Sequence, residues 1–379
     1  MKRETVLVAM SGGVDSSVAA ALLVEQGHAV IGVTMKTFCY SGTPAPSRTC
    51  CGLEGIADAR RVADRLGIPH YVFDMESAFT RDVVTDFVEE YAAGRTPNPC
   101  VRCNSNTKIP DLLRRGLAFG AETIATGHYA RIRRERDGVR LLRGRDPAKD
   151  QSYFLWGVPA PVAERLRFPV GELTKPEVRD LARKLGLSTA EKPESQEICF
   201  VPDGDYAGFL AGRLGVDHAA LRPGRIVRSD GTDVGAHDGF ARYTVGQRRR
   251  LGGGFAEPLY VLEIRPSTRE VVVGTQAELA ADAVEVGELN WMSAPPAEGE
   301  AVHLQYRYRT PAAPARVEAL DREAIRLRFD APQRAVTPGQ SGVVYRGDEM
   351  VGGGRIRRSG RLAGEPVSSA SPQKSRIGG

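Results

Sequence analysis

The chain has 379 residues, of which 41% are hydrophobic and 26% charged, with a formal net charge of +5. That is enough apolar material for at least one large core and for two or three domains. No run of about 18 uninterrupted apolar residues occurs, which excludes a helical membrane span, and six cysteines in a chain this long do not make a disulfide scaffold, so they read as thiols, ligands or catalysts. The start, Met1-Lys2-Arg3-Glu4-Thr5, leads into a short strand and not into a signal-peptide apolar stretch, so a cytoplasmic protein with no membrane partner is expected.

The first element is an apolar strand, Thr5 to Ala9, followed by Ala9-Met10-Ser11-Gly12-Gly13-Val14-Asp15-Ser16-Ser17 and a helical pattern from Ser17 to Leu23. Glycine lets backbone approach a ligand closely, and the unpaired N–H groups of a helix N-terminus favour a bound phosphate. The serine hydroxyls add donors. The carboxylate of Asp15 would repel phosphate unless a divalent cation lies between them, so Asp15 reads as an indirect Mg²⁺ contact. No Gly-Lys-Ser/Thr follows the glycines, so this is not the lysine-containing phosphate loop. A plain Gly/Ser turn with a serine near a helix cap is the alternative.

Further along, His28 to Met35, His70 to Asp74 and Glu122 to Thr126 read as strands, and Gly55 to Leu66 and Phe79 to Tyr91 as helices. Alternating strands and helices imply right-handed crossovers and a doubly wound, mostly parallel α/β sheet. Ligands of such a sheet sit beyond the carboxyl ends of its strands. The loop after the first strand, Met35 and Gly127-His128 all fall at that edge. His128 to Arg134 and Val139 to Arg143 flank Asp137-Gly138 as a hairpin, and Lys175 to Leu185 has helical spacing. The first domain is expected to span 1–201. A small mixed domain, 202–282, contains a helix from Tyr206 to Leu214, turns at Asp230-Gly231 and Asp238-Gly239, and a strand from Leu259 to Ile264. Strands at Val302 to Tyr308, Ala324 to Phe329 and Ser341 to Tyr345 then predict a C-terminal β-barrel over 283–358, and the tail 359–379 is expected to be disordered. Basic residues cluster at Arg131 to Arg145, Arg248 to Arg250 and Arg355 to Arg361, either as solvated faces or as contacts to a polyanion.

In Arg95-Thr96-Pro97-Asn98-Pro99-Cys100-Val101-Arg102-Cys103-Asn104, two prolines hold an extended, stiff loop that presents Asn98 and Cys100. Cys103 falls near a turn or helix start, with Arg95 and Arg102 as candidates to raise its thiolate fraction. Cys199 stands far away in Glu194-Ser195-Gln196-Glu197-Ile198-Cys199-Phe200-Val201. Cys39, Cys50 and Cys51 read as buried or incidental thiols and not as a zinc set, because adjacent cysteines make poor tetrahedral partners. Tyr306-Arg307-Tyr308-Arg309, read as a strand, puts both arginines on one face.

The Ser-Gly-Gly-Val-Asp-Ser-Ser loop resembles the pyrophosphate loop of enzymes that adenylate a substrate. Together with Thr96-Pro97-Asn98-Pro99, Cys103-Asn104, Gly127-His128-Tyr129, Lys149-Asp150-Gln151-Ser152-Tyr153-Phe154-Leu155, Ser195-Gln196-Glu197-Ile198-Cys199-Phe200 and Thr337-Pro338-Gly339-Gln340, it is similar in order to the tRNA-specific 2-thiouridylase family over roughly residues 5 to 357. The resemblance implies an adenine nucleotide alpha-hydrolase-like first domain and ATP-dependent 2-thiolation of the wobble uridine in tRNAs for Lys, Glu and Gln. It implies an ATP site at Ala9, Met10, Ser11, Gly12, Gly13, Val14, Asp15, Ser16, Met35 and Gly127. Cys103 matches the nucleophile and Cys199 the persulfide carrier, with a Cys103–Cys199 disulfide closed after transfer. Asn98, Pro99 and Cys100 match the loop that meets the target base, and His128, Lys149, Asp150, Gln151, Arg307, Tyr308 and Gln340 match tRNA contacts. The implied partners are tRNA and a persulfide donor, either a cysteine desulfurase or a sulfur relay protein. The chain departs from the family at Cys100, where many members carry Asp. An iron–sulfur cluster on Cys100, Cys103 and Cys199 is therefore an alternative chemistry, and another adenylating pyrophosphatase an alternative function.

Overall fold

The computed structural model describes residues 3–38, 53–194, 198–201 and 204–360. Cys39, Cys50, Cys51, Ser195, Gln196, Glu197 and most of the expected tail, 361–379, lie outside the described residues.

The chain opens with β1 (Thr5–Ala9), α1 (Val14–Glu25), β2 (Ala29–Lys36), α2 (Leu53–Leu66), β3 (His70–Asp74) and β4 (Thr123–Thr126). After a hairpin, β5 (Ala130–Glu135) and β6 (Gly138–Arg143), comes the short β7 (Leu166–Arg167). Five of these form a sheet of order β3-β2-β1-β4-β7, parallel throughout. Side chains alternate across β1 as the twofold strand period requires. Val6 and Val8 enter the core with Val14, Val18 and Ala59, whereas Leu7 and Ala9 enter a second core with Ile109, Leu112 and Trp156. A sheet buried on both faces is what the nearly continuous apolar run of β1 selects.

Residues 76–92 and 99–118 are helical, each with a π-type stretch, Thr80–Val84 and Cys103–Lys108. The second helical segment begins earlier than the sequence reading, which ends the stiff loop near Cys103 at a turn or helix start. Pro99 occupies the first turn, where its missing N–H is no loss, so the stiff loop ends at Asn98 and Cys100 already lies in a helix. Helix 76–92 differs from expectation in its packing. Phe79, Val83, Phe87 and Tyr91 belong to one apolar cluster with Phe200, Ile226, Phe240 and Leu259, so this face builds the core of the middle domain.

The middle domain holds the helix Tyr206–Leu214 and a sheet made from β8 (Gly224–Arg228), β9 (Asp233–His237), β10 (Tyr260–Arg265) and β11 (Glu270–Gly274), in order β10-β11-β8-β9. The last six strands are β12 (Ala280–Trp291), β13 (Ala301–Gln305), β14 (Ala313–Leu320), β15 (Ala324–Arg334), β16 (Ser341–Arg346) and β17 (Glu349–Gly360). They pair in the order β12-β15-β14-β13-β16-β17, and β17 pairs back to β12, closing a six-stranded barrel around Val286, Leu304, Leu327 and Val344. Closure removes both sheet edges. The β5–β6 hairpin is not an isolated insertion. Leu141 and Leu142 pair with Met350 and Glu349 of β17, which extends the barrel sheet into the first domain.

Candidate active site

The strand order of the parallel sheet reverses between β1 and β4, and the crevice beyond their carboxyl ends is where such sheets bind ligands. Ser11, Gly12 and Gly13 turn through that crevice. Gly12 has φ +72°, and a Cβ there would run into the Gly55 carbonyl of α2. Gly13 caps α1 without a side-chain hydrogen bond. The serines behave differently from expectation. Ser16 and Ser17 are buried and donate to the Gly13 carbonyl at 3.1 and 2.8 Å, and Ser11 N donates to Ser16 Oγ at 3.2 Å, so two of the three hydroxyls fix the loop and only Ser11 faces outward. Gly127 closes the other wall, since a Cβ there would stand 2.6 Å from Ser16 N. The side chains of Ala9, Met10, Val14 and Met35 are buried in the two cores, so these residues can offer a ligand only their backbone.

The charge of Asp15 is met from inside the chain. Lys175 Nζ donates to both Asp15 oxygens at 2.8 and 2.9 Å, and the Tyr129 hydroxyl donates to Oδ1 at 2.7 Å. Burial and the neighbouring Asp15 charge push the Tyr129 phenol upward, so it remains a donor. Lys175 also reaches Glu194 at 2.8 Å, whose other oxygen accepts from Lys149 at 2.7 Å. Burial alone would raise Glu194, but the two lysines hold it at about 2. Tyr129, Asp15, Lys175, Glu194 and Lys149 thus form one chain of charge-assisted bonds along the crevice. Sequence reasoning missed Lys175. It is the first residue of the helix Lys175–Lys184, fixed by a Thr174/Glu177 capping box whose Thr-x-x-Glu signature marks the helix start but not the contact with Asp15.

Cys103 sits one turn into the helical segment that begins at Pro99, and Cys100 is exposed in its first turn. Cys103, Cys199, Ile198 and Phe38 all pack against the cluster built by Phe79, Phe87 and Phe200. Phe200 meets Phe87 and Phe79 edge-on, with centroids 5.1 and 5.7 Å apart, and Phe38 lies 6.1 Å from it just beyond β2. The fold therefore brings both cysteines to one apolar cluster at the carboxyl edge of the sheet. Arg95 and Arg102 do not stand ready for a thiolate. Arg95 donates to Glu90 at 2.8 Å, and Arg102 lies 3.3 Å from Asp86 and also pairs with Glu288.

The remaining predicted contacts divide by what holds them. Asn98 stands at the N-cap position of the Pro99 helix without a side-chain cap bond and, with Val101, Arg102, Trp156, Gly339, Ser341 and Arg355, lines a shallow depression. Gln340 Nε2 donates to the carbonyls of Thr96 at 2.8 Å and Pro97 at 3.3 Å, so its amide holds the loop. Asp150 is saturated from within, accepting from Gly144 N, Ser152 N, Ser152 Oγ and Arg143 at 2.7 to 3.1 Å. Gln151 and Tyr129 exchange two hydrogen bonds, Tyr129 N to Gln151 Oε1 and Gln151 N to Tyr129 O. His128 shares a 2.7 Å hydrogen bond with Thr126, and desolvation lowers its imidazole to about 3, which leaves it neutral. Tyr306 to Arg309 is a turn and not a strand, because β13 ends at Gln305 and Arg309 has φ +65°. Arg307 and Arg309 are nonetheless exposed, while the Tyr308 ring packs tilted against Phe154, with centroids 4.3 Å apart.

Among the described residues, no three His, Cys, Asp or Glu side chains stand together as a metal set. Cys100, Cys103 and Cys199 thus do not form a ready ligand set for a cluster, and no step is derived through one.

The family model described as tRNA methyl transferase HUP domain matches residues 4–203, tRNA methyl transferase PRC-barrel domain 209–275, and aminomethyltransferase beta-barrel domain 281–356. The chain is 50% identical over 359 residues to the tRNA-specific 2-thiouridylase of Geobacter metallireducens, covering 93% of this chain and 97% of that one. It is 47% identical over 369 residues to that of Carboxydothermus hydrogenoformans, covering 94% and 98%. With the relative from Acidithiobacillus ferrooxidans it shares 49% over 358 residues, covering 94% and 99%.

Proposed function

The chain belongs to the tRNA-specific 2-thiouridylase family, an ATP-dependent tRNA sulfurtransferase group, and on that premise we propose how its own residues divide the work. ATP lies in the crevice between β1 and β4, its phosphates against the Ser11–Gly13 backbone and the first turn of α1. Magnesium would be held mainly by the nucleotide's phosphate oxygens, with Asp15 as the protein carboxylate that meets it indirectly, and would offset charge on the departing pyrophosphate. Lys175 offsets the charge of Asp15 whether or not the ion is present.

Oxygen is a poor leaving group from an amide-like carbon. The uridine O2 attacks the α-phosphorus of ATP, pyrophosphate departs, and C2 becomes bonded to an adenylate that can leave. A persulfide on Cys199 attacks C2 through its outer sulfur. The Cys103 thiolate then attacks the sulfur of Cys199, so the S–S bond of the persulfide breaks, a Cys103–Cys199 disulfide forms, and the sulfur left on C2 expels AMP. An external dithiol reduces the disulfide before the next cycle, and a persulfide-carrying protein reloads Cys199. Asn98, Pro99 and Cys100 hold the base, and the wobble uridine of tRNAs for Lys, Glu and Gln is the substrate. Free ATP and tRNA as reactants support a cytoplasmic location.

The observation that carries this reading is the packing of Cys103 and Cys199 on the same aromatic cluster from distant parts of the chain. Sulfur-loaded protein analysed by mass spectrometry tests it. Cys199→Ser should accept no extra sulfur, Cys103→Ser should accept sulfur yet fail to thiolate tRNA, and wild type without reductant should stop after one turnover with a disulfide. Extra sulfur retained by Cys199→Ser would refute the assignment.

A further inference from the structure

The three basic stretches of the sequence have different fates. In the first, Arg131 pairs with Asp348 and Glu172, Arg133 with Glu135, Arg140 with Asp137, Glu135 and Glu349, Arg143 with Asp150, and Arg145 with Glu177. In the third, Arg355 pairs with Asp86, Glu90 and Glu288, and Arg357 and Arg358 with Glu285. Most of that positive charge is spent inside the protein. Arg248, Arg249 and Arg250 are all exposed, and among the described residues none of them enters an ion pair.

This triplet is displayed by a loop anchored from within. Gly246 N donates to Val261 O at 2.8 Å and Val261 N to Gln247 O at 2.9 Å, pinning the loop to the start of β10. The Gln247 amide donates to Arg249 O at 2.8 Å, and the buried Tyr243 donates its hydroxyl to Arg250 O at 2.9 Å. Arg250 takes φ +66°, a conformation that disfavours a side chain by about 1 kcal/mol or more. Leu251 then turns back into the core. The backbone is thus held by every neighbour while the three guanidinium groups are left outside.

The loop also starts beside the site. Thr96 Oγ1 donates to Thr244 Oγ1 at 3.2 Å, and Thr337 Oγ1 to Val245 O at 3.4 Å. Arg250 follows Thr244 closely enough in the chain to lie within roughly 20 Å of it. Three adjacent arginines without ion-pair partners among the described residues, on a loop tied to the Thr96 segment, repel a cationic partner and attract a polyanion.

We propose that Arg248, Arg249 and Arg250 form a docking patch for the phosphate backbone of the stem that carries the target uridine. The proposal rests on the tRNA-thiolating reading and adds to it a binding surface on the middle domain. Phosphate contacts fix register and carry no base information, so the patch would hold every tRNA substrate alike.

The test is the salt dependence of binding of unmodified tRNA, measured by filter retention between 50 and 300 mM KCl for wild type, for Arg248→Gln/Arg249→Gln, and for the triple variant with Arg250→Asn, an exchange that tolerates positive φ. Each lost phosphate contact should lower the slope of log Kd against log salt by about 0.7 to 0.9. The double variant should lose about 1.5 and the triple about 2 to 2.5, with ATP affinity and melting temperature unchanged. An isolated stem-loop containing the target uridine should show the same losses. A slope equal to wild type in the double variant would overturn the patch and leave a solvated face. Losses seen with whole tRNA but absent with the stem-loop would overturn its placement. A wild-type protein without measurable tRNA affinity would instead overturn the underlying reading, a result distinguishable from both.

Discussion

Replacing Lys175 by Met keeps most of the side-chain length and removes three charge-assisted bonds, two to Asp15 and one to Glu194. Two carboxylates would then face one another, with only Tyr129 and Lys149 as partners. Removing one member of a buried ion pair costs about 3–5 kcal/mol. The Asp15 and Glu194 side chains keep 30% and 29% of their exposure, so water screens part of this, and about 1–3 kcal/mol is expected here. That should appear as a melting temperature several degrees lower. If Lys175 also meets the nucleotide's phosphates, ATP affinity should fall by a further 10- to 100-fold, the worth of one charge-assisted hydrogen bond. Calorimetric titration with ATP and release of pyrophosphate in the presence of tRNA measure this separately from the melt. The double variant with Asp15→Asn tests the clamp role alone, because removing the stranded charge should restore much of the lost stability. Wild-type ATP affinity and pyrophosphate release in Lys175→Met would refute a phosphate role and leave Lys175 as a clamp on Asp15.

Gly127→Ala should push the new methyl into Ser16 N, which stands 2.6 Å from the Cβ position. Overpacking of this kind costs about 1–3 kcal/mol, and weakened ATP binding with intact tRNA binding, followed by calorimetry and filter retention, is the expected result. Gln340→Glu should turn a carboxylate toward the carbonyls of Thr96 and Pro97, lowering the thiolation rate while ATP affinity stays as in wild type. His128 should show in the pH dependence of stability. Its folded pKa, about 3, lies below the ordinary value of 6.5, so its contribution is fully present above about 6.5 and is lost progressively as pH falls toward 3. Denaturant melts of His128→Asn should show a shallower fall over that window, and a slope equal to wild type would refute the assignment. Between pH 8 and 6 the imidazole stays neutral, so tRNA affinity should show no titration that His128→Asn removes.

What the sequence could disclose followed from periodicity and backbone chemistry. The strand β1, the helix Tyr206–Leu214 and the turn at Asp230-Gly231 were legible because their signals are local: an apolar run, a helical spacing and a residue pair that accepts positive φ, as Gly231 does at +89°. Helix 99–118 was hidden by its own start. Pro-Asn-Pro reads as extended chain until the second proline is recognised as a first-turn residue. The fate of Ser16 and Ser17 was also hidden, because a hydroxyl can donate to a ligand or to its own loop, and only the Gly13 carbonyl decides. Lys175 was missed for a related reason. Its chemistry arises from a contact between α1 and a helix 160 positions away, and no local pattern encodes such a pair.

The loop that carries Asn98 shows why the site needs the whole chain. Thr96 N donates to Pro338 O at 3.0 Å, Thr96 O accepts from Gln340, and Thr96 Oγ1 donates to Thr244. Gly339 takes φ +91°, and a Cβ there would lie 2.8 Å from Thr96 N, so only glycine lets the barrel turn approach this closely. Prolines at 97 and 99 remove backbone donors here, and the backbone groups of Thr96 and the Pro97 carbonyl are satisfied by the barrel, while the Thr96 hydroxyl meets the middle domain. Below it, Arg355 of β17 joins Asp86 and Glu90 of helix 76–92 to Glu288 of β12. The position of the thiols therefore depends on helix 76–92 and the core it shares with the middle domain, and the shape of the loop beside them is set largely by the barrel. A change in the barrel can alter thiolation without touching the nucleotide crevice, because the barrel turn holds the Thr96–Pro97 loop and not the Ser11–Gly13 turn.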